Sequence, residues 1–257
     1  MPTFSVTEEE IDAAEELRER EEYTAALALT QDLLKRAQDD GTQIRLLFDV
    51  LFCTTRLGLK NITDSAIAEL DKLPDPEVSR IFVNFIQAIS YIALGQSQEA
   101  LDLIDANLRT QFMQQENFQT EKYEHLAYRG RALAFLERPK ESLASLNEAH
   151  SMCPEGKRET DILIDQANCL MALKRYEEAY SAASQVLSRG DDEMATLATH
   201  YMADCRIWQG RVSEALKLYL DLQKKLPCRL VKEELIQESI RNGIAYLEKA
   251  QPHGKPS

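Results

Sequence analysis

The chain has 257 residues with a formal net charge of −13, 44% hydrophobic residues, nine glycines and eight prolines. Affinity for nucleic acid comes largely from Lys and Arg that neutralise phosphates, so this charge disfavours a nucleic-acid partner, and it also disfavours an anionic membrane surface. So few glycines and prolines argue against a turn-rich β-sandwich, and the abundant Ala, Leu, Glu and Gln favour helix.

A seven-residue phrase recurs six times along the chain. It reads EEYTAAL, NITDSAI, GQSQEAL, ERPKESL, KRYEEAY and GRVSEAL from positions 21, 61, 95, 137, 174 and 210. Four copies carry Glu at the fifth position, where a carboxylate in the first turn of a helix is stabilised by the exposed N–H groups. Each phrase is therefore predicted to close a turn and begin a helix. Its sixth, small residue is the anchor: Ala26, Ala66, Ala100, Ser142, Ala179 and Ala215.

A second small residue lies twelve positions before the anchor in five copies, and a large apolar residue usually lies nine positions before it. This spacing predicts a first helix that packs against the helix begun by the phrase. Small residues at one level on both helices let the backbones approach closely, while larger side chains interlock above and below. The chain is thus predicted to form repeated helical hairpins, whose upstream small residues are Ala14, Ala88, Gly130, Ala167 and Ala203.

In chain order the predicted hairpins cover residues 6–38, 43–75, 80–109, 122–153, 159–189 and 194–227. The second has extra residues between Gly58 and Ala66, which predict a longer turn. The polar stretch 110–122 is either a loop or an extension of the neighbouring helices. A capping helix over 230–250 should cover the last hairpin, and residues 253–257 are predicted to be a disordered tail. The apolar stripe of the capping helix comprises Leu235, Ile236, Ile240, Ile244 and Leu247.

The period of 34 residues or slightly more, the paired small residues and a closing proline resemble the tetratricopeptide repeat (TPR). Pro154 and Pro227 each lie twelve residues past an anchor, where this family often ends its second helix. The resemblance covers roughly residues 6–228 and is strongest in the last four copies; the family's early Trp is absent, since Trp208 lies later in its helix. It implies an all-α fold, a right-handed superhelix of about six antiparallel hairpins with a capping helix, forming a single domain over 1–252.

In the TPR family the first helix of each hairpin lines a concave groove. In the N-terminal half this implies a wall of Phe48, Phe52, Phe82, Phe85 and Ile89, which is either core or binding surface, since such stripes usually pack internally. In the C-terminal half the implied wall mixes aromatic residues and an arginine with carboxylates, as recognition surfaces do, although a solvated helix face would look similar. The predicted partner-binding residues are Tyr128, Arg131, Asp161, Asp165, Asn168, His200, Tyr201, Asp204 and Trp208, with Glu124 beside them.

The charge of this C-terminal wall indicates which charge a ligand should carry. TPR domains that clamp the acidic C-termini of heat-shock chaperones need Lys and Arg on the inner face. The matching positions of the fifth copy are Asp161 and Asp165, which would repel an acidic tail, and Asn168 alone matches the clamp. A basic or amphipathic segment is therefore the predicted ligand.

Motifs for catalysis or metal binding are absent from the sequence. It contains no G-x-S-x-G, no H-E-x-x-H and no C-x-x-C. The nearest metal-like set is His200 with Asp204 and Cys205, and two ligands one turn apart are common by chance. The five scattered cysteines are expected to be buried thiols in a reducing cytosol. We therefore predict a protein that is not an enzyme and that uses neither a metal nor a cofactor.

The location is predicted to be cytoplasmic. The N-terminus MPTFSVTEEE has neither the basic nor the apolar region of a signal peptide. The stretch Ile81–Gln98 carries no charge, but polar residues interrupt it and it is shorter than a membrane span, so it is predicted to be a buried helix.

Three functions fit this pattern. The first is a scaffold that binds a segment of another protein in the groove, which rests partly on analogy of fold. The second is a peptide sensor similar to bacterial helical-repeat regulators, although those usually carry an N-terminal helix-turn-helix. The third is a protein that self-associates through its apolar N-terminal helices, so a homo-oligomer stays an alternative.

Overall fold

The computed structural model describes residues 6–20, 22–70, 72, 76–115, 118–153, 159–189, 192–225 and 231–250. The predictions on Pro154, on Pro227 and on the tail 253–257 lie outside these residues. Within the described ranges the chain forms α-helices, one short 3-10 turn at Phe112–Gln114 and no β-strand. The helices are α1 (Glu8–Glu19), α2 (Tyr23–Arg36), α3 (Asp40–Arg56), α4 (Lys60–Leu70), α5 (Pro76–Ala93), α6 (Ser97–Leu108), α7 (Gln119–Phe135), α8 (Pro139–Met152), α9 (Glu159–Ala172), α10 (Tyr176–Val186), α11 (Asp192–Trp208), α12 (Val212–Gln223) and α13 (Glu233–Ala250).

The predicted all-α fold of helical hairpins with a final helix is confirmed. Helices α1 and α2, α3 and α4, α5 and α6, α9 and α10, and α11 and α12 pack as consecutive pairs. Helices α7 and α8 are joined by the Ser142 hydroxyl, which donates to the Gly130 carbonyl at 2.7 Å. The packing divides the chain into two compact units, unit 1 (Met1–Gln119) and unit 2 (Thr120–Ser257).

Small residues lie where the two helices of a hairpin cross, as predicted. All six anchors are buried, and so are the small residues twelve positions before them. Gly130 shows how close the approach is: a Cβ atom added there would lie 2.6 Å from Leu146 Cγ on α8. This distance is far shorter than a van der Waals contact, so only glycine fits without movement of the fully buried Leu146.

The recurring phrase sets the hairpin turn. Its first residue takes the left-handed backbone conformation in four copies, with φ of 76° at Gly95, 57° at Glu137, 61° at Lys174 and 74° at Gly210. The second helix begins two residues later in each case. Glycine takes this conformation without strain, whereas Glu137 and Lys174 take it at a cost of roughly 1 kcal/mol each.

The prediction of a longer turn in the second hairpin is wrong. Three residues separate α3 from α4, the same number as in the other five hairpins whose helices the structure describes. The extra residues lengthen the start of α4 instead, which begins at Lys60, six positions before Ala66. Gly58 makes the left-handed turn at φ 68°, and Leu59 accepts backbone hydrogen bonds from Ile62 and Thr63, so the helix forms at once.

The uncharged stretch within α5 is buried along one face in unit 1, where the buried residues are Ile81, Val83, Phe85, Ala88 and Ser90. Its polar positions are satisfied inside the protein: Asn84 donates to the Asn107 side chain at 2.9 Å, and Asn107 donates to the Ile81 carbonyl at 2.6 Å. These bonds join α5 to α6 and remove the cost of burying the amides. None of the helices in the described part of the chain has the length and apolarity that crossing a bilayer requires.

Helix α13 covers the last hairpin with only part of its apolar stripe. Ile236 and Ile240 are buried against a cluster of α11 and α12 that includes Ala203 and Tyr219. Leu235 and Ile244 of the same stripe are exposed, and the side chain of Leu247 lies outside the described residues. Helix α13 therefore caps α12 and also leaves a partly apolar surface open to solvent.

Candidate functional site

The candidate site lies on the inner face of unit 2, which we define as the side formed by α7, α9, α11 and α13. Helices α9 and α11 pack directly on each other. Ion pairs from Arg131 join α7 to α9, and one pocket is lined from both α11 and α13. The nine residues predicted to bind a partner lie on the first three of these helices. The structure gathers most of them into two clusters.

The first cluster is an ion-pair network between α7 and α9. Arg131 Nε donates to Asp165 Oδ2 at 2.6 Å, and its Nη2 lies 3.8 Å from Asp161 Oδ1. The guanidinium also lies over the Tyr128 ring, 5.3 Å from its centroid. Burial alone would lower the pKa of Arg131, but the charges of Asp165 and Asp161 raise it above the ordinary value. Two acids predicted to attract a basic ligand are thus already bound to a cation of the same chain.

The second cluster is a hydrogen-bonded group around Asp204 on α11. The Tyr219 hydroxyl donates to Asp204 Oδ1, and His200 Nδ1 lies 3.8 Å from Asp204 Oδ2. Burial is the main cause that raises the pKa of Tyr219, and the charge of Asp204 adds to it. Burial likewise raises the pKa of Tyr201 to about 12, helped by the charges of Asp165 and Asp204. Tyr201 is therefore a neutral phenol near carboxylates of both α9 and α11.

Two predicted residues lie outside these clusters. Asn168 is exposed on α9. Trp208 is 65% exposed at the end of α11, and its ring stacks on Tyr176 with 6.2 Å between the centroids and 10° between the planes. Tyr176 is the first residue of α10, so the indole is held against the preceding hairpin while most of its surface faces solvent.

A pocket of about 530 Å³ opens beside Trp208, between α11 and α13. Its walls include Tyr246, which is 57% exposed, and the hydrogen-bonded pair of Asp204 and Tyr219. Such a volume lies within the ordinary range for ligand sites. The remaining lining residues are Ile207, Gly210, Val212, Ser239 and Asn242.

Of these nine lining residues only Asp204 and Trp208 were predicted from the sequence as site residues. The seven that were missed are Ile207, Gly210, Val212, Tyr219, Ser239, Asn242 and Tyr246. A signal for three of them exists, because Ser239, Asn242 and Tyr246 are spaced as i, i+3 and i+7, which places them on one face of α13. That face was missed because α13 was interpreted as a cap with a single apolar stripe.

The apolar wall predicted for the N-terminal half is packed only in part inside unit 1, because Phe48, Phe52, Phe82 and Ile89 are half-buried. Phe85 is buried, and Phe48 and Phe82 contact each other with 5.3 Å between ring centroids. Phe52 lies beneath two guanidinium groups, with Arg18 at 5.4 Å and Arg56 at 5.3 Å from its centroid. Phe85 therefore belongs to the core of unit 1, whereas the other three rings make contacts within unit 1 and stay partly accessible to solvent.

The metal-like set on α11 does not assemble. Cys205 is fully buried, and burial raises the pKa of its thiol to about 11, which disfavours the thiolate that metals bind. Among the described residues, no three His, Cys, Asp or Glu side chains lie close enough together to hold a metal ion.

Comparison with known proteins shows similarity in structure alone. No protein-family model and no curated protein matches the sequence. The apo form of RapI matches with a TM-score of 0.72 and 11% identity, covering 94% of this chain and 71% of that one. A Rap protein complexed with Competence and Sporulation Factor matches with a TM-score of 0.63 and 12% identity, covering 94% and 71%. A P. anserina putative kinesin light chain with nearly identical TPR-like repeats matches with a TM-score of 0.59 and 18% identity, covering 73% and 96%.

These likenesses agree with the hairpins and the small residues at their crossings. By its fold, this chain is a TPR-like helical-repeat protein.

Proposed function

We propose that the protein is a non-enzymatic scaffold that binds a segment of another protein, or a peptide, on the inner face of unit 2. The observation that carries the proposal is the open pocket whose walls are the exposed rings of Trp208 and Tyr246. Exposed Trp and Tyr beside a concave, partly apolar surface are typical of the residues that dominate binding energy at interfaces. The acidic character of the chain and the carboxylate of Asp204 favour a basic or amphipathic segment.

The two tyrosines of this face suit hydrogen bonding better than proton abstraction. Burial raises the pKa values of Tyr201 and Tyr219 further above the ordinary value, so neither phenol can act as a general base near neutral pH. Asp204 is held by the Tyr219 hydroxyl. A cytoplasmic location is part of the proposal, because Cys53, Cys169 and Cys205 are buried free thiols, as expected in a reducing compartment.

A peptide sensor is a second candidate, and one observation favours it. A structural neighbour with a TM-score of 0.63 is a Rap protein complexed with Competence and Sporulation Factor. The two candidates differ in what suffices for binding: a sensor recognises a free short peptide, whereas a scaffold engages a segment presented by a larger partner. Self-association through the N-terminal helices has less support, since Phe85 is buried and the half-buried rings of Phe48 and Phe82 contact each other within unit 1.

The proposal is tested by selecting binders from a random dodecapeptide phage library and measuring their affinity for the wild type and for Trp208→Ala. We expect Trp208→Ala to weaken binding roughly 30-fold, the effect of losing an interface hot spot. Leu220→Ala is the matched control, because Leu220 is also exposed but lies on α12 outside the pocket lining.

The outcomes separate the candidates. Binders whose affinity is equal for wild type, Trp208→Ala and Leu220→Ala would contradict the proposal, and so would a library that yields no binder. Selected peptides that also bind tightly as free synthetic peptides support the sensor, whereas peptides that bind only while fused to the phage coat protein support the scaffold. Changes at Asp161 or Asp165 are a poorer test, because they would leave Arg131 without its ion pairs.

A further inference from the structure

We infer that the pocket between α11 and α13 receives the guanidinium group of an arginine in the bound segment. This inference rests on the proposed function, because it names the chemistry that the same site recognises. It is argued from the charge of the pocket, from its aromatic walls and from a matching arrangement elsewhere on the inner face.

The charge of the pocket is negative. Of the described residues that line it, Asp204 alone is charged, and its side chain is only partly buried. One oxygen accepts from the Tyr219 hydroxyl, which in turn hydrogen-bonds to Ser239, so the carboxylate is held in a fixed orientation. A carboxylate has about four acceptor positions, so Asp204 keeps capacity for a further donor. A cation is the ligand group that such a pocket attracts.

The walls of the pocket suit a flat cation. Tyr176 stacks on Trp208 with 6.2 Å between the ring centroids and does not line the pocket, whereas Trp208 lines it and is 65% exposed, so indole surface is available to a ligand there. A cation above an indole face is attracted by the ring quadrupole. A guanidinium is planar and weakly hydrated, so it stacks on rings and still donates in its plane to a carboxylate, whereas a lysine ammonium stays strongly hydrated.

The chain already shows this arrangement with an arginine of its own. On α7 and α9, Arg131 lies over the Tyr128 ring and donates to the Asp165 carboxylate. Trp208 and Asp204 supply the same two groups at the α11–α13 pocket, where none of the described lining residues is a cation. Among the described lining residues the pocket therefore lacks the cation that the α7–α9 cluster contains, and the bound segment would supply it. His200 Nδ1 lies 3.8 Å from Asp204 Oδ2, but His200 is not among these lining residues.

Trp208 also makes the inference directly measurable, because it is the single tryptophan of the chain. The probes are acetyl-Ala-Ala-Arg-Ala-Ala-amide and its citrulline analogue, which has nearly the same shape without the charge. Titration followed by indole fluorescence should show that the arginine peptide binds about tenfold more tightly than the citrulline peptide. Equal affinities, or no change in fluorescence with either peptide, would overturn the inference without reference to any variant.

Two variants test the role of the carboxylate. Asp204→Asn keeps an oxygen that accepts from Tyr219 and removes only the charge, so the preference for arginine over citrulline should disappear. Asp221→Asn makes the same change of charge at an exposed residue paired with Lys224, and should leave the preference intact. An Asp204→Asn protein that still prefers arginine, with a thermal unfolding curve like that of the wild type, would contradict the inference.

Failure of the inference is distinguishable from failure of the proposed function. If library binders depend on Trp208 while the arginine and citrulline probes bind alike, the arginine inference is wrong and the proposed function stands. If the arginine probe binds but library binders ignore Trp208, the proposed function is wrong and the arginine pocket stands.

Discussion

Replacing Gly130 with alanine is expected to lower the free energy of unfolding by about 2 kcal/mol, the usual size of an overpacking defect. The added Cβ would lie 2.6 Å from Leu146 Cγ, and Leu146 is fully buried in the hairpin of α7 and α8. Helix propensity alone would favour alanine by about 1 kcal/mol, so a loss of stability would show that the close helix crossing outweighs propensity. Urea denaturation measures the change.

Two controls make this result specific. Gly41→Ala also places alanine in a helix, but its Cβ would meet nothing closer than Asp39 Oδ1 at 3.4 Å, so it should be neutral or stabilising. In a Leu146→Ala background the overlapping atoms are absent, and there Gly130→Ala should increase stability. If Gly130→Ala stabilises the wild type as Gly41→Ala does, the proposed closeness of α7 and α8 is wrong.

Arg18→Ala is expected to cost about 3 kcal/mol of stability at about pH 8, because it leaves a buried carboxylate without its cation. Asp49 is 3% exposed, and one of its oxygens accepts from Arg18 Nη1. Its other oxygen, Oδ2, has no hydrogen-bond partner among the described residues. Arg20→Ala is the matched control, because Arg20 pairs with Glu16 on the exposed surface of α1 and should cost under about 0.5 kcal/mol.

The cost of Arg18→Ala should depend on pH. Burial raises the pKa of Asp49 from 3.8 to about 6, against the opposing attraction of Arg18. Between pH 3.8 and about 6, Asp49 therefore keeps its proton in the folded state and releases it in the unfolded state. Its contribution to the free energy of unfolding is greatest below pH 3.8 and decreases as the pH rises to about 6.

Without Arg18 the folded pKa of Asp49 rises further, which extends the loss to higher pH. The variant should thus lose least stability at about pH 5, where only contacts such as that of Arg18 with Phe52 are missing, and most at about pH 8. Urea denaturation at both values measures the difference. Equal losses at the two pH values would contradict the assigned role of Asp49.

The hairpins were predictable because their signal is local and repeated. The phrase that begins at Gly95, Glu137, Lys174 and Gly210 marks a left-handed turn followed by a helix, and the anchors mark the crossings. The length of the turn in the second hairpin was predicted wrongly, because the extra residues could belong either to the turn or to the following helix. In the structure Ile62 and Thr63 donate backbone hydrogen bonds to Leu59, so the extra residues belong to the helix. The spacing of the phrases along the sequence does not reveal these bonds.

The candidate site was predictable only in part, because its contacts join distant residues. Nothing in the sequence shows that Arg131 reaches Asp165, which lies 34 positions away, and so the two acids of α9 were interpreted as available to a ligand. The pocket depends on how α13 packs: burial of Ile236 and Ile240 turns Ser239 and Tyr246 towards Trp208. That orientation follows from tertiary packing and not from the pattern of the helix.

The most direct test of binding on the inner face of unit 2 is amide hydrogen exchange of the full chain, with and without a peptide selected from the dodecapeptide library. The protein is expected to gain protection in the second half of α11 and in α13, which line the pocket, and α2 and α4 of unit 1 should be unchanged. Protection confined to unit 1, with α11 and α13 unaffected, would contradict the proposed site.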